Sequence, residues 1–379
     1  MQVNRREFLG VAAALPFMGL LPEQALAAAG QRVLVLVKLA GGNDGLNTLV
    51  PYTDPLYYQY RPRVAVPKHQ VLDIGQNMGL NPYMKALKPA WDAGELAFVQ
   101  GVGYPGSDLS HFRSSDIWEA GCGANEYASE GWLAQVMPGY KSGLHGIILG
   151  ESMGPLAGKD CHTVAMQSPQ VFLSQIDLVD NITPNRQTPA LAHLTNIQQQ
   201  LYDAGQQLRS KLARPVALGV NFSTSDLGRD LESVAKMILS GVDAAVYMVT
   251  LDGFDTHASQ VNTQGNLLNR LGVALDSFAQ AMKRGGRWND VLVVTYSEFG
   301  RRVQENHAGG TDHGTASVQM VMGGKVRGGL YGEAPRLREL DADGNLHHTL
   351  DYRAVYGTLT QNWLRQRNPW SSFGTVPFV

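Results

Sequence analysis

Three uninterrupted apolar runs constrain this chain more than any other feature: Val33-Leu34-Val35-Leu36-Val37, Ala244 to Leu251, and Val291 to Tyr296. A strand with one face in water alternates apolar and polar residues. A run that is apolar almost throughout reads as a strand covered on both faces. Gln31 to Ala40 is therefore the first strand, ending in the turn cluster Gly41-Gly42-Asn43-Asp44-Gly45. Leu96 to Val102, Leu144 to Leu149 and Val318 to Met322 read as further strands. Helical stretches lie between them: His111 to Ala120 with Ser110 placed to cap it, Ala190 to Leu212, Asp226 to Leu239, Asn266 to Lys283, and a terminal Tyr352 to Leu364. This alternation predicts an α/β fold, a doubly wound, mainly parallel sheet with helices on both faces. Residues 28–379 read as a single domain. The more polar, helix-rich stretch 160–235 reads as an insertion over the sheet rather than a separate unit.

The N-terminus carries an address. Arg5-Arg6 with Phe8-Leu9, an apolar run to Leu21 and the small-x-small pattern Ala25-Leu26-Ala27 form a cleavable twin-arginine signal over residues 1–27. Pro16 and Gly19 interrupt the run, which is shorter than the roughly 20 residues a spanning helix needs. The expectation is export by the twin-arginine translocase to the periplasm or beyond, with no stable membrane span. The formal net charge of −2 argues against a nucleic-acid partner bound through phosphates. Two cysteines, Cys122 and Cys161, are too few for a disulfide scaffold or a cysteine-rich zinc site, and either a single bridge or two separate buried thiols fits the sequence.

In open parallel sheets ligands sit beyond the carboxyl ends of the strands. Asp44 follows the first strand. Asp252, Asp255 and His257 follow Ala244–Leu251. Ser297 and Glu298 follow Val291–Tyr296, with His307, Asp312 and His313 shortly after. Crowded carboxylates repel one another, and a divalent cation removes that cost. Asp44, Asp255, His257, Glu298, Asp312 and His313 thus form a candidate shell for one or two ions of zinc, manganese, magnesium or calcium, and a pair of ions suits hydrolysis of a phosphate-like ester. The plainer reading is Asx turns at Asp44 and Asp255 and hydrogen-bonded histidines. Ser110 is a candidate nucleophile at a helix N-terminus or a simple cap. His111 is a candidate ligand or general acid. Arg301 or Arg302 is a candidate clamp for an anionic substrate oxygen.

Three motifs compete with this reading. Gly101-Val102-Gly103-Tyr104-Pro105-Gly106 has the spacing of a dinucleotide loop, but no helix opens after it. Asp341-Ala342-Asp343-Gly344-Asn345 starts like a calcium loop and lacks the rest. Gly150-Glu151-Ser152-Met153-Gly154 follows a strand, as a nucleophile elbow does, and would make Ser152 a serine-hydrolase nucleophile with His257 or His313 as its base. Pro155 and Gly158 disfavour the helix that an elbow must run into.

Several motifs come in a specific order: Gly41-Gly42-Asn43-Asp44-Gly45-Leu46-Asn47-Thr48, Ser110-His111-Phe112, Gly131-Trp132-Leu133, Gly253-Phe254-Asp255-Thr256-His257, Ser297-Glu298-Phe299-Gly300-Arg301, Thr311-Asp312-His313-Gly314, and the closing Asp351-Tyr352-Arg353-Ala354-Val355-Tyr356. In that order they resemble the bacterial DUF1501 family, a domain of unknown function grouped with the alkaline phosphatase and sulfatase superfamily. The resemblance implies an alkaline phosphatase-like sandwich with one or two divalent metals on Asp and His at strand ends. It makes Asp44 the first-strand aspartate and Asp255/His257 the middle-strand pair. Superfamily enzymes usually have an Asp followed by His where this chain has Glu298-Phe299, and Asp312-His313 in the next loop would supply the missing ligands. Ser110 matches the superfamily nucleophile only loosely, and no sulfatase-type Cys-x-Pro-x-Arg surrounds Cys122. Two main expectations follow: an exported, metal-dependent hydrolase of phosphate or sulfate esters, or a non-catalytic secreted protein that keeps the fold to bind an envelope component.

Overall fold

The computed structural model describes residues 30–176 and 188–379. The twin-arginine signal at 1–27 lies outside them. Among the described residues a nine-stranded sheet forms the centre. Its strands are β1 (Val33–Leu39), β2 (Leu96–Gly103), β3 (Leu144–Leu149), β4 (Thr163–Met166), β5 (Ala244–Leu251), β6 (Val291–Tyr296), β7 (Ser317–Gly323), β8 (Gly329–Tyr331) and β9 (Leu350–Asp351). The order is β8-β2-β7-β6-β1-β5-β3-β4, with β9 also on β2. The main helices are α1 (His111–Ala120), α2 (Pro169–Ile176), α3 (Pro189–Leu212), α4 (Asp226–Leu239), α5 (Gln260–Arg284) and α6 (Tyr352–Thr358).

Strand β1 lies between β5 and β6, parallel to both, and its apolar run is used on both sides. Val33, Val35, Val37 and Leu39 join a core with Leu231 and Ile238 of α4 and Leu271 and Phe278 of α5. Leu34 and Leu36 join the opposite core with Ile117 and Trp118 of α1 and Val355 and Tyr356 of α6. The second core is aromatic: Trp118 stacks on Tyr352 with centroids 4.4 Å apart, and Trp132 on Tyr356 at 4.2 Å. The α/β architecture with helices on both faces is thus as the runs predict.

Two departures position the site. Strand β7 is antiparallel to both β2 and β6, so the loop that leads into it arrives at the edge where the parallel strands end. The described part of stretch 160–235 gives the sheet an edge strand, β4, parallel to β3, as well as helices. Local boundaries differ as well. Gly101 and Gly103 stay within β2, and α5 starts before Asn266, at Gln260. Cys122 and Cys161 are separate, buried thiols.

Candidate metal centre

The carboxyl ends of β1, β5 and β6, the N-terminus of α1 and the approach to β7 meet at one edge. Gly41 makes the first turn possible. Its φ of 112° is one a side chain rarely adopts, and a Cβ there would collide with the backbone of Phe254 and Asp255. Beyond β6 a short antiparallel ladder pairs Arg301 with His313, which sets both beside the loop carrying Asp255 and His257.

Three imidazoles and one carboxylate converge here. His313 Nε2 lies 3.1 Å from Asp255 Oδ1, His257 Nε2 lies 3.0 Å from the same oxygen, and His111 Nε2 lies 3.4 Å from Asp255 Oδ2. The His257 and His313 Nε2 atoms are 3.0 Å apart.

The proton on each ring is fixed from behind. His111 Nδ1 faces Glu298 Oε1 at 2.8 Å, His257 Nδ1 faces Asp312 Oδ1 at 3.0 Å, and His313 Nδ1 faces the Leu109 carbonyl at 2.8 Å. All three partners are acceptors, so a neutral ring with its hydrogen on Nδ1 satisfies each of them and turns Nε2 toward Asp255 as a lone pair. The 3.0 Å contact between two such nitrogens is then no hydrogen bond, because neither has a proton to give. His111 Nε2 is buried and makes no hydrogen bond. Among the described residues, the ligand atoms of His111, Asp255 and His313 lie within 4.8 Å of one another, and histidines held from behind by a carboxylate or carbonyl are how proteins orient metal ligands.

Asp255 is held as an anion. Burial raises its pKa, but the hydrogen bond and charge of Arg301, with His313 and His257 adding to them, outweigh that and bring it down to about 2. Asp312 is likewise depressed, first by the Asn306 hydrogen bond, with His257 adding to it against burial. The cluster opens to solvent: the side chains of Asp255 and His257 are 46% and 45% exposed. Phe299, fully buried, packs its ring against His111 and His313, with centroids 4.8 and 4.4 Å away, and gives the imidazoles an apolar floor.

The remaining sequence candidates take other places. Asp44 has partners outside the histidine cluster. Its Oδ2 pairs with Arg61 at 2.6 Å and accepts from Gln260 Nε2 at 2.5 Å, while Oδ1 caps the short helix Gly45–Thr48 through Leu46 N. Both oxygens are taken in a buried network of the protein's own donors. Glu298 Oε1 accepts from Gly41 N as well as facing His111, and Asp312 faces His257. Both carboxylates therefore sit behind imidazoles.

Arg301 is buried and its guanidinium is occupied by the carbonyls of Gly41, Gly42, Phe254 and Thr311 and by Asp255 Oδ1 at 2.6 Å. It orients Asp255 and has no fork left for a substrate anion. Ser110 is exposed at the start of α1, its side chain makes no capping bond, and both chain neighbours, Leu109 and His111, touch the cluster. Asp252 and His307 are exposed. Ser152 accepts from Gly154 N at 3.2 Å within a turn that leads to a 3-10 segment, Gly154–Leu156. Without a helix behind it, the nucleophile elbow is not formed.

Fold and site together define an α/β protein whose mainly parallel sheet presents a three-histidine, one-carboxylate cluster at its carboxyl edge. Residues 232–365 match the family described as "Protein of unknown function (DUF1501)", the family the ordered motifs resemble. That segment carries Asp255, His257, Glu298, Arg301, Asp312 and His313, while Ser110 and His111 lie before it. No curated protein matches the sequence. Among solved structures, a protein in the alkaline phosphatase superfamily from Vibrio parahaemolyticus is similar at 9% identity and a TM-score of 0.39, over 91% of this chain and 69% of that one. A sulfatase from Pseudoalteromonas sp. is similar at 12% identity and 0.40, over 94% and 75%. A phosphonate monoester hydrolase from Silicibacter pomeroyi is similar at 10% and 0.37, over 91% and 75%. Likeness at this level carries no argument about what the present chain binds or does. Among the described residues no helix is long and apolar enough to cross a membrane.

Proposed function

We propose that this chain holds one divalent transition metal on His111, His257, His313 and Asp255, and that it hydrolyses phosphate or sulfate esters after export. The observation carrying the reading is the set of three Nε2 lone pairs turned toward one carboxylate, each ring fixed by an acceptor on its Nδ1. One ion follows from the assignment of Glu298 and Asp312 to the rear of the histidines. The nitrogen-rich donor set suits zinc, and disfavours magnesium and calcium, which take oxygen ligands.

An ion held there supplies Lewis acidity toward an ester oxygen. Ser110, exposed and free of capping duty beside His111, offers the attacking hydroxyl. Arg301 keeps Asp255 ionised and in register, and the Phe299 floor fixes the planes of His111 and His313.

Metal analysis of protein purified after growth with zinc tests the site. About one equivalent is expected, lost in His257→Ala and kept in Ser110→Ala; less than half an equivalent, unchanged by Asp255→Ala, would overturn it. A phosphatase and sulfatase ester panel tests the chemistry, with turnover abolished by Ser110→Ala. The second reading, a non-catalytic envelope-binding protein, is favoured by the full occupation of Arg301, and it prevails if metal binds and no ester turns over. Export by the twin-arginine translocase predicts that Arg5→Lys with Arg6→Lys traps folded protein in the cytoplasm; normal export of that variant would refute it.

A further inference from the structure

Arg301 also borders a cavity of about 330 Å³. None of His111, Asp255, His257 and His313 is among its lining residues. Its walls come from the short helix Gly45–Thr48, the ends of β2 and β7, and the segment 333–349. They are mainly apolar, with Leu46, Leu49, Met78, Val318, Pro335 and Leu346 facing the space. A volume near the lower end of the roughly 300–1,000 Å³ range and a lining in which apolar area predominates are what small-molecule sites have.

One polar group in that wall is out of place. Gln100 of β2 is 5% exposed and its Oε1 is buried without a hydrogen bond. A buried acceptor with no donor is costly and rare, and this one belongs to a side chain that lines the cavity. At the rim, Arg336 bonds Glu333 at 2.8 Å and Glu339 at 3.1 Å. The carboxylates of Glu333 and Glu339 are balanced by the guanidinia of Arg336 and Arg301, so the lining carries no net charge that would select an ion. The occupant that fits is uncharged, apolar over most of its length, and carries a hydrogen-bond donor.

We propose that this cavity binds a neutral amphiphile whose hydroxyl or amide N–H donates to Gln100 Oε1 while its apolar body lies among Leu46, Leu49, Met78 and Val318. The site is distinct from the metal cluster in residues, and it does not rest on the metal reading. Titrating the purified protein with 4-phenylbutan-1-ol and with its methyl ether, which has the same body and no donor, tests the idea by calorimetry. The alcohol is expected to bind about tenfold more tightly than the ether. Gln100→Met, which keeps the shape and removes the acceptor, is expected to abolish that preference, and Val318→Trp to abolish binding of both by filling the space. Zinc content measured on the same samples stays at the wild-type value whatever that value is, so failure of the metal site and failure of this one are separate results. The proposal is overturned if neither probe binds the wild type, if Val318→Trp binds the alcohol as well as the wild type does, or if the preference survives in Gln100→Met. Should Val318→Trp not fold, the Gln100→Met ratio alone decides.

Discussion

Arg61→Met tests whether Asp44 is part of the scaffold. Both side chains are out of water, at 0% and 1% exposure. The guanidinium donates to Asp44 Oδ2 at 2.6 Å, Asn47 Oδ1 at 2.8 Å, and the carbonyls of Val303 at 2.7 Å and Arg302 at 2.8 Å. Methionine keeps much of the volume and removes every donor. Asp44 then retains Gln260 and Leu46 N but loses the counter-charge of Arg61, and the carbonyls of Val303 and Arg302 lose a donor. Breaking a buried pair from one side costs about 3–5 kcal/mol, a large part of the roughly 5–15 kcal/mol that holds a domain together. Equilibrium urea unfolding reads this as a lower midpoint at unchanged slope. Adding Asp44→Asn removes the stranded charge, so the double variant is expected to recover about 1–2 kcal/mol relative to Arg61→Met alone. A loss below about 1 kcal/mol for Arg61→Met, or a double variant less stable than the single, would refute the argument. Asp44→Asn alone should destabilise the fold and leave zinc affinity nearly unchanged; a loss of the ~10–100-fold size typical of ligand-supporting groups would return Asp44 to the metal shell.

Three further outcomes are expected. Glu298→Gln, which weakens the acceptor behind His111 Nδ1, should lower zinc affinity about 10–100-fold in a competition titration; an unchanged affinity would remove Glu298 from that role. Burial, with Asp226 adding to it, raises Asp230 to about 6. A raised carboxyl is harboured at no cost below its unfolded value of 3.8, and stability falls as pH rises through 6 and the buried group ionises. Asp230→Asn should therefore raise the urea midpoint at pH 7.5 and not at pH 4, and equal gains at both would contradict the shift. Burial lifts the Cys161 thiol to about 11 and raises that of Cys122 as well, so a colorimetric thiol reagent at pH 8 should find little reaction in the native protein and two thiols after denaturation. Fewer than two would indicate a bridge.

Sequence by itself determined the layered architecture. Val33–Val37 and Val291–Tyr296 are apolar at nearly every position, and the pleat sends alternate side chains to opposite faces, so both faces must be covered. It also brought Asp255, His257 and His313 forward, because the edge beyond strand ends is a consequence of topology that alternation already implies. Division of labour within that set was decided by tertiary structure. Asp44 and Asp255 both follow strands, yet Asp44 meets Arg61, which lies on a loop seventeen residues on, whereas Asp255 meets three imidazoles. Glu298 and Asp312 have the chemistry of ligands, but each carboxylate lies 2.8–3.0 Å from an imidazole Nδ1, which in the proposed site puts it behind the ligand. Arg301 reads as a clamp until its donors are seen to be occupied. His111, a candidate from the sequence, is joined to Asp255 only when α1 is placed, because it comes from a different part of the chain and no spacing rule ties it to residue 255. Local patterns fix which way each side chain leaves its own element. Which groups then meet depends on contacts between segments hundreds of residues apart, among them the antiparallel entry of β7 that carries His313 to the same edge.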